Sequence, residues 1–191
     1  LQLAAERFLL MMKNNSYSLK ITTHKLCALA LLTAATVILS IFGTFRVGNQ
    51  IKIPLKFLTV FLTGALYGPV AGGLVGAAGD ILNAVLVPVG PLLPQITAVE
   101  FLYGAIFGLF FFKAENNGVY YIRAAVCSLL QFLIGITVTT YILVDVGYFS
   151  SFGAAVIIRL PAAIATLAMH IFCICIMKKL IFAGKRRFTL E

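Results

Sequence analysis

Leu66-Tyr67-Gly68-Pro69-Val70-Ala71-Gly72-Gly73-Leu74-Val75-Gly76 is the stretch on which the fold turns. Gly68-Pro69 punctuates two apolar runs, because glycine accepts left-handed backbone while proline sets φ and carries no N–H. The runs on either side, about 55–67 and 70–87, therefore read as two helices joined by a tight reversal. Gly64, Gly68, Gly72 and Gly76 recur at every fourth position, and Gly73, Ala77 and Gly79 widen the same small-residue face. In lipid, where apolar surface alone does not drive helices together, such a face lets backbones approach and pack. Val87-Pro88-Val89-Gly90-Pro91-Leu92-Leu93-Pro94 then forms a stiff turn into a further helix at about 95–112.

The remainder of the chain has the same character. Of 191 residues, 61% are hydrophobic and 11% charged, against roughly 45–50% apolar usage in soluble domains, and the mean hydropathy is +1.04. This is the composition of an integral membrane protein. At about 20 apolar residues per crossing the length allows about six spans, placed at 26–43, 55–67, 70–87, 95–112, 121–144 and 152–177. The expected fold is an all-α bundle of six transmembrane helices over 21–182. Residues 1–20 form an N-terminal cytoplasmic segment and 183–191 a basic cytoplasmic tail. The first ten residues match the rest poorly, as a leader or an added segment would, and Leu190-Glu191 resembles a tag remnant. The second span is short, which suggests a tilted or partly re-entrant helix. Before it, Ile51-Lys52-Ile53-Pro54-Leu55-Lys56-Phe57 alternates with period two, as an extended segment or as a helix start with Pro54 in its first turn.

Charge orients the bundle. The net charge of +9 gathers at segment ends: Lys13, Lys20 and Lys25 before the first span, Lys178, Lys179, Lys185, Arg186 and Arg187 after the last. That is the positive-inside pattern rather than a nucleic-acid surface, and Lys113 and Arg123 fall on the same side. Both termini are then cytoplasmic. Arg46, Lys52 and Lys56 break the pattern on the outer side, and Asp80, Glu100 and Arg159 each fall in the outer half of a span. Ionisable residues at membrane depth mark functional sites. Arg46, Lys52, Lys56, Asp80, Asn83, Gln95, Glu100 and Arg159 are thus candidates for a small-molecule site at the extracytoplasmic end, with the Pro88–Pro94 turn as its cover. Arginine pairs with a carboxylate in two-pronged fashion; Asp80 or Glu100 accepts paired N–H donors of a heterocycle; Phe45, Phe57, Tyr103, Tyr148 and Phe149 stack on a flat ring. The competing account is internal ion pairing, for example Glu100 with Arg159, that fixes the bundle without a ligand.

Enzyme chemistry finds no support. Nucleophile-elbow, zinc-protease and P-loop patterns are absent from the sequence, so no catalytic residue, metal or cofactor is assigned. His24 and His170 are placed near the cytoplasmic ends of spans one and six, away from the polar mouth. Cys27, Cys127, Cys173 and Cys175 lie in apolar runs without metal-ligand spacing and read as small core residues. Ala30 and Ala34 form a small-residue stripe on the first span that serves either packing within the bundle or docking to a partner.

Together, the Ala30-x-x-x-Ala34 stripe, the Leu66-Tyr67-Gly68-Pro69-Val70-x-Gly72 turn and the Gly76-Ala77-Ala78-Gly79-Asp80 helix resemble the substrate-binding S components of energy-coupling-factor (ECF) vitamin transporters, most nearly their folate-specific branch. The resemblance covers nearly all of 20–179. It implies a high-affinity vitamin-binding subunit in a prokaryotic cell membrane. It further implies docking through Ala30 and Ala34 on a membrane coupling subunit, with two cytoplasmic ATPases hydrolysing the ATP. Leu93-Pro94-Gln95-Ile96-Thr97 stands where that branch shows Phe-Pro-Gly-Phe-Thr. Pantothenate, a queuosine precursor or a non-transport structural role are the alternatives.

Overall fold

Glycine at position 68 lets the chain reverse between its second and third helices. Gly68 takes φ +98°, ψ 175°, a conformation that costs a side chain dearly, and Pro69 opens the next helix at a position where its missing N–H is no loss. The computed structural model describes residues 23–47, 51–87, 93–112, 114 and 118–188, and the side chains of 44–47, 51–54, 180 and 183–188 lie outside this set. The elements in order are α1 (Thr23–Ile41), β1 (Thr44–Val47), β2 (Ile51–Pro54), α2 (Phe57–Tyr67), α3 (Pro69–Leu86), α4 (Pro94–Phe111), α5 (Val119–Asp145) and α6 (Phe152–Phe188). Of the six helices among the described residues, five are long and apolar enough to cross a membrane. α2, with 11 residues, rises only about 17 Å against a hydrocarbon core of about 30 Å.

Among the described residues the six helices expected from the spans are present, with one addition. Residues 44–54 form an antiparallel hairpin in which the Cα atoms of Arg46 and Lys52 are partners. Extended chain is thus the outcome for 51–54, with Pro54 at the end of its strand, where a lost N–H is tolerated. α6 runs on to Phe188, so the basic segment read as a tail begins inside a helix. The Pro88–Pro94 turn lies largely outside the described residues.

α2 is the hub. Phe61, Thr63 and Ala65 are fully buried, and Phe57, Val60 and Gly64 nearly so. Phe61 meets Phe107 and Phe111 edge to face, with centroids 5.2 and 5.0 Å apart, and Phe111 meets Tyr120 at 5.2 Å. Tyr120 Oη donates to the Ile174 carbonyl at 2.9 Å, tying α5 to α6. The Thr36 and Thr59 hydroxyls, 2.8 Å apart, join α1 to α2. Outward-facing residues such as Leu31, Ile122, Ile157 and Phe172 are exposed, which suits lipid rather than water.

Glycines set the spacing of α2, α3 and α4. A Cβ on Gly64 would lie 2.8 Å from the Gly108 nitrogen, and one on Gly72 2.6 Å from the Gly104 oxygen. Gly104 and Gly108 press still closer on the backbones of Gly72 and Pro69. The helices touch main chain to main chain. Gly104→Ala is accordingly expected to cost about 1–3 kcal/mol through overpacking and to lower the melting temperature in detergent. Gly153→Ala, in a helical turn with nothing within 4 Å, is expected to leave that temperature unchanged or raise it.

Candidate functional site

Lys56 closes the hairpin segment and leads into α2, which brings its long side chain to the ends of α3 and α4. Its Nζ donates to Glu100 Oε1 at 2.7 Å and lies 3.9 Å from Asp80 Oδ1. Asp80 Oδ2 in turn accepts from Thr97 Oγ1 at 2.8 Å. One ammonium therefore holds two carboxylates, and the three side chains remain 18–19% exposed. α2, α3 and α4 are stitched together at their common end.

α5 carries a break in its regular turn. Gly135–Thr139 is a π-helical segment, an irregularity that occurs often at functional sites. Just beyond it the fully buried Thr140 accepts from Arg159 Nη1 at 2.7 Å, and its own hydroxyl points to the Gly135 carbonyl at 3.4 Å. Arg159 is thereby oriented by α5 although it belongs to α6. Pro161, two residues on, lies inside α6 and cannot donate to the carbonyl one turn back.

Between these groups lies a cavity of about 640 Å³, within the range of about 300–1,000 Å³ usual for small-molecule sites. Lys56, Phe57 and Val60 line it from the start of α2, Glu100, Tyr103 and Phe107 from α4, and Ser128, Gln131, Gly135 and Ile136 from α5. Phe149 comes from the loop before α6, and Arg159, Ala162, Thr166 and His170 come from α6 itself. The wall is mostly apolar and aromatic with a few polar groups. The His170 ring rests 4.1 Å from that of Phe57, tilted by 40°.

Of the residues nominated from sequence, Lys56, Glu100 and Arg159 line the cavity. Asp80 does not; it supports Lys56 and Thr97 from behind. Asn83, half-buried on α3, and Gln95, exposed at the start of α4, are not in the wall either: no residue of α3 lines the cavity, and α4 enters its wall only from Glu100 onward. The backbones of Arg46 and Lys52 face each other across the hairpin, while their side chains lie outside the described residues. Phe57, Tyr103 and Phe149 are in the wall, whereas Tyr148 is exposed. Ala30 and Ala34 are exposed on α1. The suggested Glu100–Arg159 pair is not formed: Glu100 binds Lys56, and Arg159 binds Thr140. His170, placed far from the site by sequence reasoning, lines it. Sequence reasoning also passed over Ser128, Gln131 and Phe107; a glutamine in mid-span was the available signal, by the same rule that singled out the charges.

A partly open, largely apolar cavity with a guanidinium and a carboxylate in its wall, set among membrane helices, is the kind of site in which a membrane protein holds a small molecule. The family described as "ECF-type riboflavin transporter, S component" matches residues 20–183, and the chain belongs to it. The folate transporter FolT of Clostridium novyi (strain NT) is 34% identical over 65 residues, 34% of this chain; the match spans 38% of that curated relative's length. A crystal structure of FolT bound with folic acid is similar with a TM-score of 0.73 and 25% identity, covering 83% of this chain and 94% of that one. Lys56→Met, which leaves two carboxylates together without their cation, is expected to cost roughly 2–4 kcal/mol in thermal or chemical unfolding. Glu100→Gln should cost less, since Lys56 keeps Asp80.

Proposed function

We propose that this chain is the folate-binding S component of an ECF-type importer, taking its vitamin at the extracytoplasmic end of the bundle. The observation that carries the reading is Arg159. Its guanidinium sits in the cavity wall with the neutral Thr140 hydroxyl as partner, and among the described residues no carboxylate lies within 4.0 Å of it. A charge at membrane depth is costly unless paired, and a ligand carboxylate matches its planar donors. Folate carries carboxylates on its glutamate tail and a flat pterin ring for Phe57, Tyr103, Phe107 and His170. Riboflavin, named in the family's description, has the flat ring but no carboxylate. The FolT relatives favour the same choice.

Lys56 acts in this reading as half of an ion pair. Glu100 has four lone-pair sites and gives one to Lys56, so it retains acceptors for ligand N–H groups. Both termini are cytoplasmic by the distribution of lysine and arginine. The exposed Ala30 and Ala34 face on α1 is the docking surface for a membrane coupling subunit, and two cytoplasmic ATPases in that assembly hydrolyse the ATP.

Isothermal titration of the detergent-solubilised protein is expected to show micromolar or tighter binding of folate, with riboflavin and pantothenate weaker by at least about tenfold; absence of folate binding would overturn the assignment. Arg159→Ala is expected to weaken folate by about 10- to 100-fold, the loss of a charge-assisted hydrogen bond, with partial rescue by Arg159→Lys. Ala30→Leu with Ala34→Leu is expected to preserve folate binding while abolishing co-purification with the coupling subunit and uptake into cells. Loss of binding in that double variant would remove α1 from the docking role.

A further inference from the structure

We infer that Ser128 on α5 is a specificity-determining residue whose hydroxyl contacts the ligand and reads the polar edge of its ring. The inference rests on the reading of the cavity as a vitamin site and deepens it. Ser128 is 1% exposed, lines the cavity, and its Oγ has no hydrogen-bond partner. Hydroxyls in helices usually return their proton to the carbonyl one turn back. Thr33, Thr36, Thr63, Thr137 and Thr166 all do so here. Ser128 does not, although its helix offers the same geometry.

A buried hydroxyl left unpaired is a standing cost, and the cavity is the direction from which a partner can arrive. Gln131 stands three residues on, and so shares its face. Its Nε2 donates to the Tyr103 carbonyl at 3.3 Å, which orients the amide and leaves the amide oxygen as an acceptor. One face of α5 thus presents a hydroxyl that both donates and accepts beside an amide oxygen that accepts. A heterocycle whose edge places an N–H next to a ring nitrogen or carbonyl satisfies both, with the tilted ring pair of Phe57 and His170 in the same wall. Thr140, which holds Arg159, is twelve residues further along α5, about 18 Å by helical rise. The ligand class is therefore elongated, with an amide-like ring edge at one end and a carboxylate at the other.

The test compares the full-length detergent-solubilised protein with Ser128→Ala. The proposal expects folate to bind Ser128→Ala about tenfold more weakly, p-aminobenzoylglutamate, which has the tail without the pterin, to bind both proteins equally, and the melting temperature of the ligand-free variant to equal or exceed that of the parent. Equal folate affinity, a matching loss for p-aminobenzoylglutamate, or a lower ligand-free melting temperature would overturn it. Should the parent bind no folate, the proposed function falls by itself. The ligand-free melting temperatures then still separate the two failures: a fall reveals an internal partner for the hydroxyl and sinks the inference on its own ground, while no fall supports an unpartnered hydroxyl, with only the assignment of its ligand overturned.

Discussion

Where α2, α3 and α4 cross, no side chain intervenes. Gly64 lies on Gly108, Gly72 on Gly104, and Gly108 on Pro69, so the three helix axes are as close as main chain permits. This approach lets an eleven-residue helix act as the hub of a bundle that spans a membrane. α2 is short because it need not cross alone; α3 and α4 enclose it. The depth that α2 leaves unfilled at the Lys56 end is occupied by the hairpin and by the cavity between α4, α5 and α6. Close packing on one side of α2 thus goes with open space beyond its other end.

Much of this was legible in the sequence, for a local reason. Gly68-Pro69 is a breaker whatever surrounds it, and spans of apolar residues bounded by polar ones can be bounded only to within a residue or two by inspection. The span read as 95–112 is Pro94–Phe111; the one read as 121–144 is Val119–Asp145. The partners across helices were not legible, because they depend on how each helix is rotated about its axis. Asp80 and Glu100 were both recognised as out of place in lipid. That they share one lysine, while Arg159 turns to a threonine, follows from rotations that no local pattern records. Of the two accounts weighed from sequence, internal pairing holds for Asp80 and Glu100, though through Lys56, while Arg159 bonds to Thr140.

His170 was misplaced for a different reason. It was placed away from the polar mouth, and the cavity reaches further along α6 than the charges do, from Arg159 through Thr166 to His170. The imidazole lies in that deeper wall, packed on Phe57. Ser128 was missed because a lone serine in an apolar run has nothing in its neighbours to mark it; the mark is the hydrogen bond it does not make.

The π segment in α5 has a further meaning for how this helix tolerates change in length. Its i→i+5 rings hold one residue more than α-helical turns do, so Gly135–Thr139 stores a surplus residue in mid-membrane. The π turn takes up that residue over nearly the rotation that an α-helix, at about 100° per residue, gives to one fewer. The insertion is therefore absorbed locally, and the two halves of the helix keep the facing they would have without it. Thr140 stays on Arg159 and Leu143 in the cavity wall, on the far side of the surplus residue from Ser128 and Gln131.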